Sequence, residues 1–460
     1  MKLKDIKQTY FIGIGGIGMS AIARFFKLKG KYVAGYDLTP SPLTDALQNE
    51  GINIVFSDDE NLIDNKFRNA ETTLVIYTPA VFETHRQLNY FKNNNFNVMK
   101  RSQVLGIITH DYDAVCVAGT HGKTTISTMT AHLFKQSKRG CTAFLGGISK
   151  NYKTNFLWNE KSPFVVVEAD EFDRSFLTLS PHTALISSVD ADHLDIYGNK
   201  GNMNIAFQAF AQKIKPRGNF VVKKDLPISW ELQNNVAVYT YSLNDQDADF
   251  YAYNIRFEDK TYYFDLKTPK SSIKDIKMGV PGLLNIENAV GASALALLNG
   301  VTEEEISNAI PLFEGIARRF DIQVDTPEMV YIDDYAHHPE EIKAALKSAR
   351  DMFPNREMTV IFQPHLYSRT KDFYKEFAQS LCMADELILL DIYPARELPI
   401  DGITSKIIGN LVKKIPVLYY KKENLAKELV VRKNHLIITM GAGDIDREVK
   451  YIKEKIMKNV

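Results

Sequence analysis

The stretch Ala114-Val-Cys-Val-Ala-Gly-Thr-His-Gly-Lys-Thr-Thr125 joins an apolar run to a glycine turn, and a helical pattern then continues to about Phe134. Short continuous apolar runs are typical of strands buried in a parallel sheet. A Lys-Thr pair directly after the last glycine opens the helix of a phosphate-binding loop, where backbone N–H groups and the helix dipole attract an anion. The stretch therefore predicts a strand–loop–helix unit that binds the phosphates of ATP.

Each residue of this loop has an expected role in ATP binding. Lys123 is placed to reach the β- and γ-phosphates, and the Thr124 hydroxyl is placed to ligate Mg²⁺. The loop departs from the usual pattern because Val117 stands five positions before Gly122, where glycine is usual. The alternative is an ordinary glycine-rich turn between a strand and a helix. The predicted ATP-binding residues of the loop are Gly119, Thr120, His121, Gly122, Lys123, Thr124 and Thr125.

A second glycine loop lies near the N-terminus. Gly13-Ile-Gly-Gly-Ile-Gly18 follows a strand-like run and fits the fingerprint G-x-G-x-x-G, and Asp37 follows Gly18 by 19 residues. Taken alone, the pattern fits an NAD or FAD site with Asp37 on the ribose, a site for another diphosphate such as a nucleotide sugar, or a structural turn. Because the chain already carries an ATP loop, we favour a second phosphorylated substrate. The residues assigned to that substrate are Gly13, Gly15, Gly16, Gly18 and Asp37.

Acidic residues follow two further apolar runs. One group is Glu168-Ala-Asp-Glu-Phe-Asp173, and the other is Asp190-Ala-Asp-His-Leu-Asp195. The carboxyl ends of parallel strands face the crevice where α/β proteins bind ligands. Glu168 and His193 are therefore candidates to hold Mg²⁺ beside the ATP phosphates, although histidine is an unusual ligand for this hard cation. The alternative is that these acids cap helices and form a solvated loop.

The C-terminal section repeats a pattern of strand and helix. Strand-like runs recur about every 29 residues from Val330, and helical patterns such as Pro339 to Met352 fill the gaps, which matches successive βαβ units. Asp333-Asp-Tyr-Ala-His-His-Pro339 and Phe362-Gln-Pro-His-Leu-Tyr-Ser-Arg-Thr370 each follow such a run and suit contacts to ATP or an anionic substrate, with Arg369 placed to clamp a carboxylate or phosphate. Gly315-Ile-Ala-Arg-Arg-Phe320 offers cations for nucleotide phosphates, or is a surface arginine pair.

Length and composition limit the class of protein. The chain has 460 residues with 56 basic and 56 acidic side chains, and its zero net charge argues against broad binding to nucleic acid or anionic membranes. No apolar run of about 18 residues is present, so the sequence predicts no membrane insertion. Three widely spaced cysteines favour a reducing, cytoplasmic location.

The order of these patterns predicts three α/β domains in series. The first and third are expected to be Rossmann-like, and the central one to be a phosphate-loop domain with a mostly parallel sheet. An alternating pattern around residues 248–267 predicts an antiparallel hairpin appended to that central sheet. The expected boundaries are 1–110, 111–316 and 317–460.

Several motifs of the chain occur together, and in the same order, in one family. They run from Gly13 to Asp444 and include the phosphate loop, Glu-Ala-Asp-Glu, Asp-His-Leu-Asp, Asp-Asp-Tyr-Ala-His-His-Pro, Phe-Gln-Pro-His and Gly-Ala-Gly-Asp. In this set the chain resembles the Mur ligases of peptidoglycan synthesis, and most closely the member that joins L-alanine to UDP-N-acetylmuramate. The resemblance implies that ATP, with Mg²⁺, phosphorylates the lactyl carboxylate, and that the alanine amine then displaces phosphate from the acyl phosphate.

The resemblance also implies a role for individual residues. Domain 1–110 would bind the UDP-sugar, with the Gly13–Gly18 loop on its diphosphate, domain 111–316 would bind ATP, and domain 317–460 would bind the amino acid. The catalytic and metal residues implied are Lys123, Thr124, Glu168, His193 and Arg369. The nucleotide contacts implied outside the phosphate loop are Asn285 and Asn288 on the adenine side, with Arg318 and Asp334. The residues implied on the amino-acid and phosphate side are Tyr335, His337 and Arg369.

Two positions depart from the family pattern, and other functions remain open at this stage. Leu284 stands where the family commonly has histidine, and Leu366 where it often has arginine. The nearest alternative is the murein-tripeptide recycling ligase of the same family. Two further alternatives are a nicotinamide oxidoreductase using the first glycine loop and a nucleotide-binding module without catalysis. We expect a monomer or weak homodimer.

Overall fold

The computed structural model describes residues 5–190, 194–395 and 397–459. These residues form three β-sheets with intervening helices, which confirms the predicted α/β class with three domains in series and mostly parallel sheets. No helix in these ranges is long and apolar enough to cross a bilayer. The strands are β1 (Gln8–Ile12), β2 (Tyr32–Tyr36), β3 (Asn53–Val55), β4 (Thr73–Tyr77), β5 (Asn97–Lys100), β6 (Asp113–Ala118), β7 (Thr142–Ser149), β8 (Thr154–Leu157), β9 (Phe164–Glu168), β10 (Thr183–Ile186), β11 (Asn219–Lys223), β12 (Ala237–Ser242), β13 (Phe250–Glu258), β14 (Thr261–Lys267), β15 (Ser272–Lys277), β16 (Asp321–Asp325), β17 (Met329–Asp334), β18 (Glu357–Phe362), β19 (Glu386–Leu389), β20 (Val417–Tyr419) and β21 (His435–Met440).

The helices fill the connections between these strands, and the last helix follows β21. The α-helices are α1 (Ile17–Leu28), α2 (Pro42–Asn49), α3 (Arg86–Asn93), α4 (Arg101–Asp111), α5 (Lys123–Gln136), α6 (Leu194–Tyr197), α7 (Lys200–Ala211), α8 (Leu283–Leu298), α9 (Glu303–Ala309), α10 (Pro339–Met352), α11 (Tyr367–Leu381), α12 (Lys406–Gly409), α13 (Leu425–Glu428) and α14 (Val449–Asn459).

The first sheet has the strand order β3-β2-β1-β4-β5, and all of its strands are parallel. Residues 9–12 of the central strand β1 are buried, as expected for a strand covered on both faces. Since the connections leave β1 toward β2 on one side and reach β4 on the other, the strand order reverses at β1. Such a switch point opens a crevice for ligands at the carboxyl ends of the strands, and the loop 13–18 follows β1 there.

The second sheet places β6, the strand before the phosphate loop, between β9 and β10. The strands from β12 through β11, β10, β6 and β9 to β7 are parallel to their neighbours. β7 and β8 form an antiparallel pair at one end of the sheet, and β14 and β15 form another at the opposite end. Asp259 and Lys260 link β13 to β14 with φ of 47° and 61°, the backbone of a two-residue hairpin turn, so the predicted hairpin is confirmed.

The third sheet has the order β16-β17-β21-β18-β19-β20. Helix α10 occupies 339–352, as predicted, with Pro339 in its first turn. The strands from β17 to β20 are parallel, and β16 adds an antiparallel edge that the sequence pattern did not predict. The last strand, β21, lies between β17 and β18, so residues far apart in the chain become neighbours in the sheet.

The described chain divides into two compact units. The first contains residues up to 256 with 263–279 and 286–314, and the second contains 257–262, 280–285 and the residues from 315 onward. In the first unit, helix α1 packs on β7 and β8, where the Phe25 ring lies 5.7 Å from that of Phe144. The buried Arg24 pairs with Glu50 and also donates to Asn155 of β8. These contacts join the first and second sheets into one core.

Candidate active site

The phosphate loop needs glycine at two positions because of its backbone. Gly122, immediately before α5, has φ of 82°, and Gly119 has φ of 132°. Both values lie in the region that side chains with a Cβ rarely adopt. A Cβ on Gly119 would also lie 2.2 Å from Ser187 Oγ and 2.9 Å from the Ser188 backbone nitrogen. The loop therefore closes tightly against the residues that follow β10.

Ser187 and Ser188 hold the loop in this shape, and sequence reasoning did not select them. Ser188 Oγ accepts a hydrogen bond from the His121 N–H at 2.7 Å and from the Thr120 hydroxyl at 3.0 Å. Ser187 Oγ donates to the Ala118 carbonyl at 3.2 Å. The signal in the sequence is that these serines end the apolar run of β10, but nothing local shows that β10 lies beside β6.

Lys123 begins α5, and oxygen atoms hold its ammonium group at the loop. Nζ donates to the Gly119 carbonyl at 2.6 Å and to Glu171 Oε1 at 2.8 Å, with the Thr120 carbonyl farther away at 3.4 Å. Burial alone lowers the pKa of Lys123, but the nearby carboxylates, first that of Glu171, outweigh it and raise the pKa to about 12. Lys123 is therefore a cation at the position where a phosphate-binding loop needs one.

Glu171 belongs to the acidic group after β9 but had no predicted role, and the structure gives it a contact with Lys123. Its side chain is fully buried, and burial raises the pKa of its carboxyl group to about 7 although Lys123 acts in the opposite direction. The Tyr197 hydroxyl donates to the Glu171 backbone carbonyl at 2.6 Å. The burial of Glu171 therefore argues against the alternative that these acids form a solvated loop.

Glu168 and Thr124 supply oxygen donors of the kind that Mg²⁺ prefers. Glu168 ends β9, which pairs with β6, and a Cβ on Gly146 would lie 2.1 Å from Glu168 Oε2. The second residue of α5, Thr124, is largely buried. His193, the third predicted ligand, lies outside the described residues. Within those residues, no group of three or more His, Cys, Asp or Glu is arranged to hold a metal ion. The fit of the described site to Mg²⁺ therefore rests on the oxygen donors of Glu168 and Thr124.

Two asparagines of α8 were expected on the adenine side. Asn288, in the first unit, is buried beside the phosphate loop, because a Cβ on Gly122 would lie 3.1 Å from its Oδ1. Asn285, in the second unit, donates its side-chain amide to the Pro281 carbonyl at 2.6 Å. The structure therefore places Asn288 against a predicted ATP residue.

The first glycine loop is shaped by the residue that was expected to bind its ligand. Asp37 Oδ2 accepts a hydrogen bond from the Gly15 N–H at 2.6 Å. Gly13 has φ of 85°, and a Cβ there would lie 2.5 Å from Thr78 Cγ2. Gly16 immediately precedes α1. Asp37 thus orients the loop through its backbone, a contact that the spacing alone did not show.

Gly18 has a neighbour that sequence reasoning missed. A Cβ on Gly18 would lie 3.0 Å from Nη1 of Arg101, so the absence of a side chain at Gly18 makes room for a guanidinium group. Arg101 Nη2 lies 3.8 Å from Asp170 Oδ2 in the acidic motif. The first glycine loop and the acidic motif are therefore connected through one arginine within the first unit.

In the second unit, Asp334 shapes a loop between β17 and α10. Its Oδ1 accepts from the Ala336 N–H and its Oδ2 from the Phe320 N–H, each at 2.7 Å. Burial raises the pKa of Asp334 to about 6 against the opposing charge of Arg319. Both carboxylate oxygens thus fix backbone positions around the predicted nucleotide contacts.

Arg318 has positive φ, 65°, and its guanidinium group is held within the same unit. Nη2 donates to the Gly441 carbonyl at 2.7 Å, and Nε lies 3.4 Å from Asp333 Oδ2. The Tyr335 ring lies 5.0 Å from the guanidinium carbon. The structure therefore connects Arg318 to the Gly-Ala-Gly-Asp motif, which had no assigned role.

The predicted amino-acid side brings several rings together. The His337 ring lies 5.3 Å from Tyr335 and 6.0 Å from His365, and His365 stacks on Tyr393. His365 belongs to the Phe-Gln-Pro-His motif but was not selected as a site residue. Arg369, in the first turn of α11, is 6% exposed.

Comparison with known proteins agrees with this arrangement. Family models match residues 8–113 as "Mur ligase family, catalytic domain", 117–296 as "Mur ligase middle domain" and 318–443 as "Mur ligase, glutamate ligase domain". The UDP-N-acetylmuramate–L-alanine ligase of Phocaeicola vulgatus is 50% identical over 453 residues, which cover 98% of each chain. The chain belongs to the Mur ligase family.

Solved structures support the fold of this Mur ligase. The UDP-N-acetylmuramate-alanine ligase of Thermotoga maritima matches with a TM-score of 0.83 and 27% identity, over 98% of this chain and all of the other. A murein peptide ligase from Psychrobacter arcticus matches with a TM-score of 0.72, over 98% of both chains, but at 20% identity it informs on the fold alone.

Leu284 and Leu366, the two residues that depart from the family pattern, lie in different structural environments in this Mur ligase. Leu284, near the start of α8, is 47% exposed, so its side chain is not part of a core. Leu366 precedes α11 with φ of 69°, a strained value for a residue with a branched side chain. Its N–H donates to the Tyr393 carbonyl at 3.0 Å, which holds the strained turn next to the ring cluster.

Proposed function

We propose that this Mur ligase joins L-alanine to the lactyl carboxylate of UDP-N-acetylmuramate, with ATP converted to ADP and phosphate, in peptidoglycan biosynthesis. The observation that carries the reaction class is the ammonium of Lys123 at the phosphate loop, with the carboxylate of Glu168 at the end of the neighbouring strand β9. The full-length identity to an enzyme named for these substrates supports their choice over the tripeptide of the recycling ligase.

The chain's own residues would act mainly by binding and orienting the reactants. Lys123 would donate to a terminal phosphate oxygen as the γ-phosphoryl group passes to a carboxylate oxygen, forming an acyl phosphate and ADP. The alanine amine would then attack the acyl carbon, lose a proton and expel phosphate from the tetrahedral intermediate. Such chemistry depends on positioning and charge neutralisation and needs no protein nucleophile.

A magnesium ion would be held by Thr124 and Glu168, with His193 as a third ligand. When bound, the ion would neutralise negative charge on the phosphates and the carboxylate. The fit rests on the oxygen donors described above. Residues Asn288, Asn285, Arg318 and Asp334 would contact the nucleotide.

The remaining substrate contacts are assigned by domain. The loop 13–18, oriented by Asp37, would hold the diphosphate of UDP-N-acetylmuramate in domain 1–110. Domain 111–316 would hold ATP. Tyr335, His337 and Arg369 of domain 317–460 would serve the amino acid and the transferred phosphate. A cytoplasmic location and a monomer or weak homodimer complete the proposal.

The proposed reaction is tested by phosphate release from ATP and Mg²⁺ with UDP-N-acetylmuramate, in the presence and absence of L-alanine. We expect release to require both substrates and the product to be heavier by one alanine residue. Release only with the murein tripeptide would favour the recycling ligase. Binding of ATP without release with either acceptor would reject the ligase assignment.

Replacing Glu168 tests the metal site. We expect Glu168→Gln to raise the Mg²⁺ concentration needed for half-maximal phosphate release by about tenfold, because one charged oxygen ligand is lost. The exposed Glu160→Gln is the matched control and is expected to leave the requirement unchanged. The same Mg²⁺ dependence in Glu168→Gln and the unmodified enzyme would contradict the ligand role.

A further inference from the structure

Among the residues that the structure describes, the ammonium of Lys123 has two close acceptors and one distant one. An ammonium group has three hydrogens to donate. The Gly119 carbonyl and Glu171 Oε1 take two of them at 2.6 and 2.8 Å, while the Thr120 carbonyl lies at 3.4 Å. The third hydrogen therefore has the weakest of these partners and is the one most readily donated in a hydrogen bond to a phosphate oxygen.

Burial and a backbone hydrogen bond restrain Glu171 more than a counter-ion on the surface would be restrained. Its side chain is fully buried, and its backbone carbonyl accepts the hydroxyl of Tyr197, which is itself 2% exposed. A lysine side chain has four flexible torsions, so a fixed carboxylate at 2.8 Å removes much of its freedom before the nucleotide arrives. The contact joins residues 123 and 171, which lie beyond the carboxyl ends of two paired strands, β6 and β9.

We propose that Glu171 is a positioning residue for the reaction: its buried carboxylate holds Lys123 with one N–H directed to the β- and γ-phosphates of ATP. This inference rests on the proposed role of Lys123 in binding those phosphates. Glu171 itself contacts no substrate in this scheme. It acts by keeping Lys123 on the Gly119 side of the loop, so that phosphate replaces only the distant Thr120 contact.

The first test compares ATP with AMP, which lacks the β- and γ-phosphates. We expect Glu171→Ala to weaken ATP binding about tenfold, the effect of losing one charge-assisted hydrogen bond, while AMP binding measured by calorimetry stays unchanged. Glu171→Gln keeps an acceptor oxygen and nearly the same volume, so it is expected to restore ATP binding to within about threefold. Equal weakening of ATP and AMP, or no rescue by glutamine, would overturn the proposal.

A double-mutant cycle with Lys123→Ala shows whether Glu171 acts through the lysine. If it does, Glu171→Ala has no further effect on ATP binding once Lys123 is alanine. A tenfold loss that persists in the Lys123→Ala background would overturn the positioning role alone. Unchanged ATP binding in Lys123→Ala by itself would instead contradict the proposed function of Lys123, so the two failures are distinguishable.

Tyr197→Phe is the matched control, because it removes a buried hydrogen bond to the same residue without altering the carboxylate. We expect a lower melting temperature with unchanged ATP and AMP binding. A tenfold loss of ATP binding in Tyr197→Phe would show that the backbone of this segment, and not the carboxylate, positions Lys123, and would overturn the proposal.

Discussion

Lys123→Ala is expected to lower ligation, measured as kcat/KM for ATP, by about 10³-fold, because the ammonium group at the phosphate loop no longer stabilises the transition state. Binding of UDP-N-acetylmuramate is expected to remain, since its proposed loop follows a strand of another sheet. The measurement is phosphate release over a range of ATP concentrations, together with calorimetric titration of the nucleotide sugar.

The variant also leaves Glu171 buried without its partner, so a loss of stability must be separated from a loss of catalysis. Removing one member of a buried ion pair typically costs about 3–5 kcal/mol. Thermal unfolding of Lys123→Ala, with Lys347→Ala as a control for an exposed lysine paired with Asp351, measures this term. A folded variant that loses nucleotide-sugar binding to the same degree as ligation would contradict the assignment of the two loops to different substrates.

Gly119→Ala is expected to lower the same activity on the order of 10²-fold, because the loop must move to accommodate the new Cβ, and shifts of about 1 Å have effects of that size. The Cβ would lie 2.2 Å from Ser187 Oγ, and φ of 132° disfavours any side chain. Ser187→Ala in the same chain is not expected to restore activity, since the Ser188 backbone nitrogen remains 2.9 Å from the Cβ.

Gly30→Ala separates the close contact from the positive φ. Gly30 has φ of 75°, but a Cβ there would meet no atom within 4 Å. It is expected to cost about 1 kcal/mol of stability and to leave the KM for ATP unchanged. If Gly119→Ala and Gly30→Ala had the same effect on the KM for ATP, the result would contradict a role in ATP binding for the close packing of the loop against the residues after β10.

Much of the fold could be predicted because its signals are local. The apolar run 114–118, its glycine turn and the helix from Lys123 were all placed before the structure, and so was α10 at 339–352. Strand β16 was not predicted, because five residues with mixed polarity carry little pattern at a sheet edge. The strand order of the third sheet could not be predicted from the sequence either, because β21 is inserted between two strands that precede it in the chain.

The residues of the candidate site also fall into two groups, those that local motifs predict and those that only contacts between distant segments reveal. Motifs marked the phosphate loop, the acidic groups and the histidines, because each needs particular residues within a few positions. The motifs did not predict Ser188, which contributes to the site through its hydrogen bond with Thr120. They also did not predict Arg101, which lies next to Gly18. The spacing of Asp37 from the first glycine loop marked it as a site residue, yet its hydrogen bond to the Gly15 N–H depends on how two loops approach each other.

Local sequence patterns are enough to specify the strand–loop–helix units, the glycines of the two anion-binding loops and the family to which the chain belongs. These follow from side-chain periodicity and backbone freedom, which are properties of neighbouring residues. The contact between Glu171 and Lys123, and the closure of the phosphate loop by two serines after β10, depend on three-dimensional packing. Such contacts join residues about 48 to 67 positions apart, because parallel pairing brings the carboxyl ends of separate strands to one edge of the sheet.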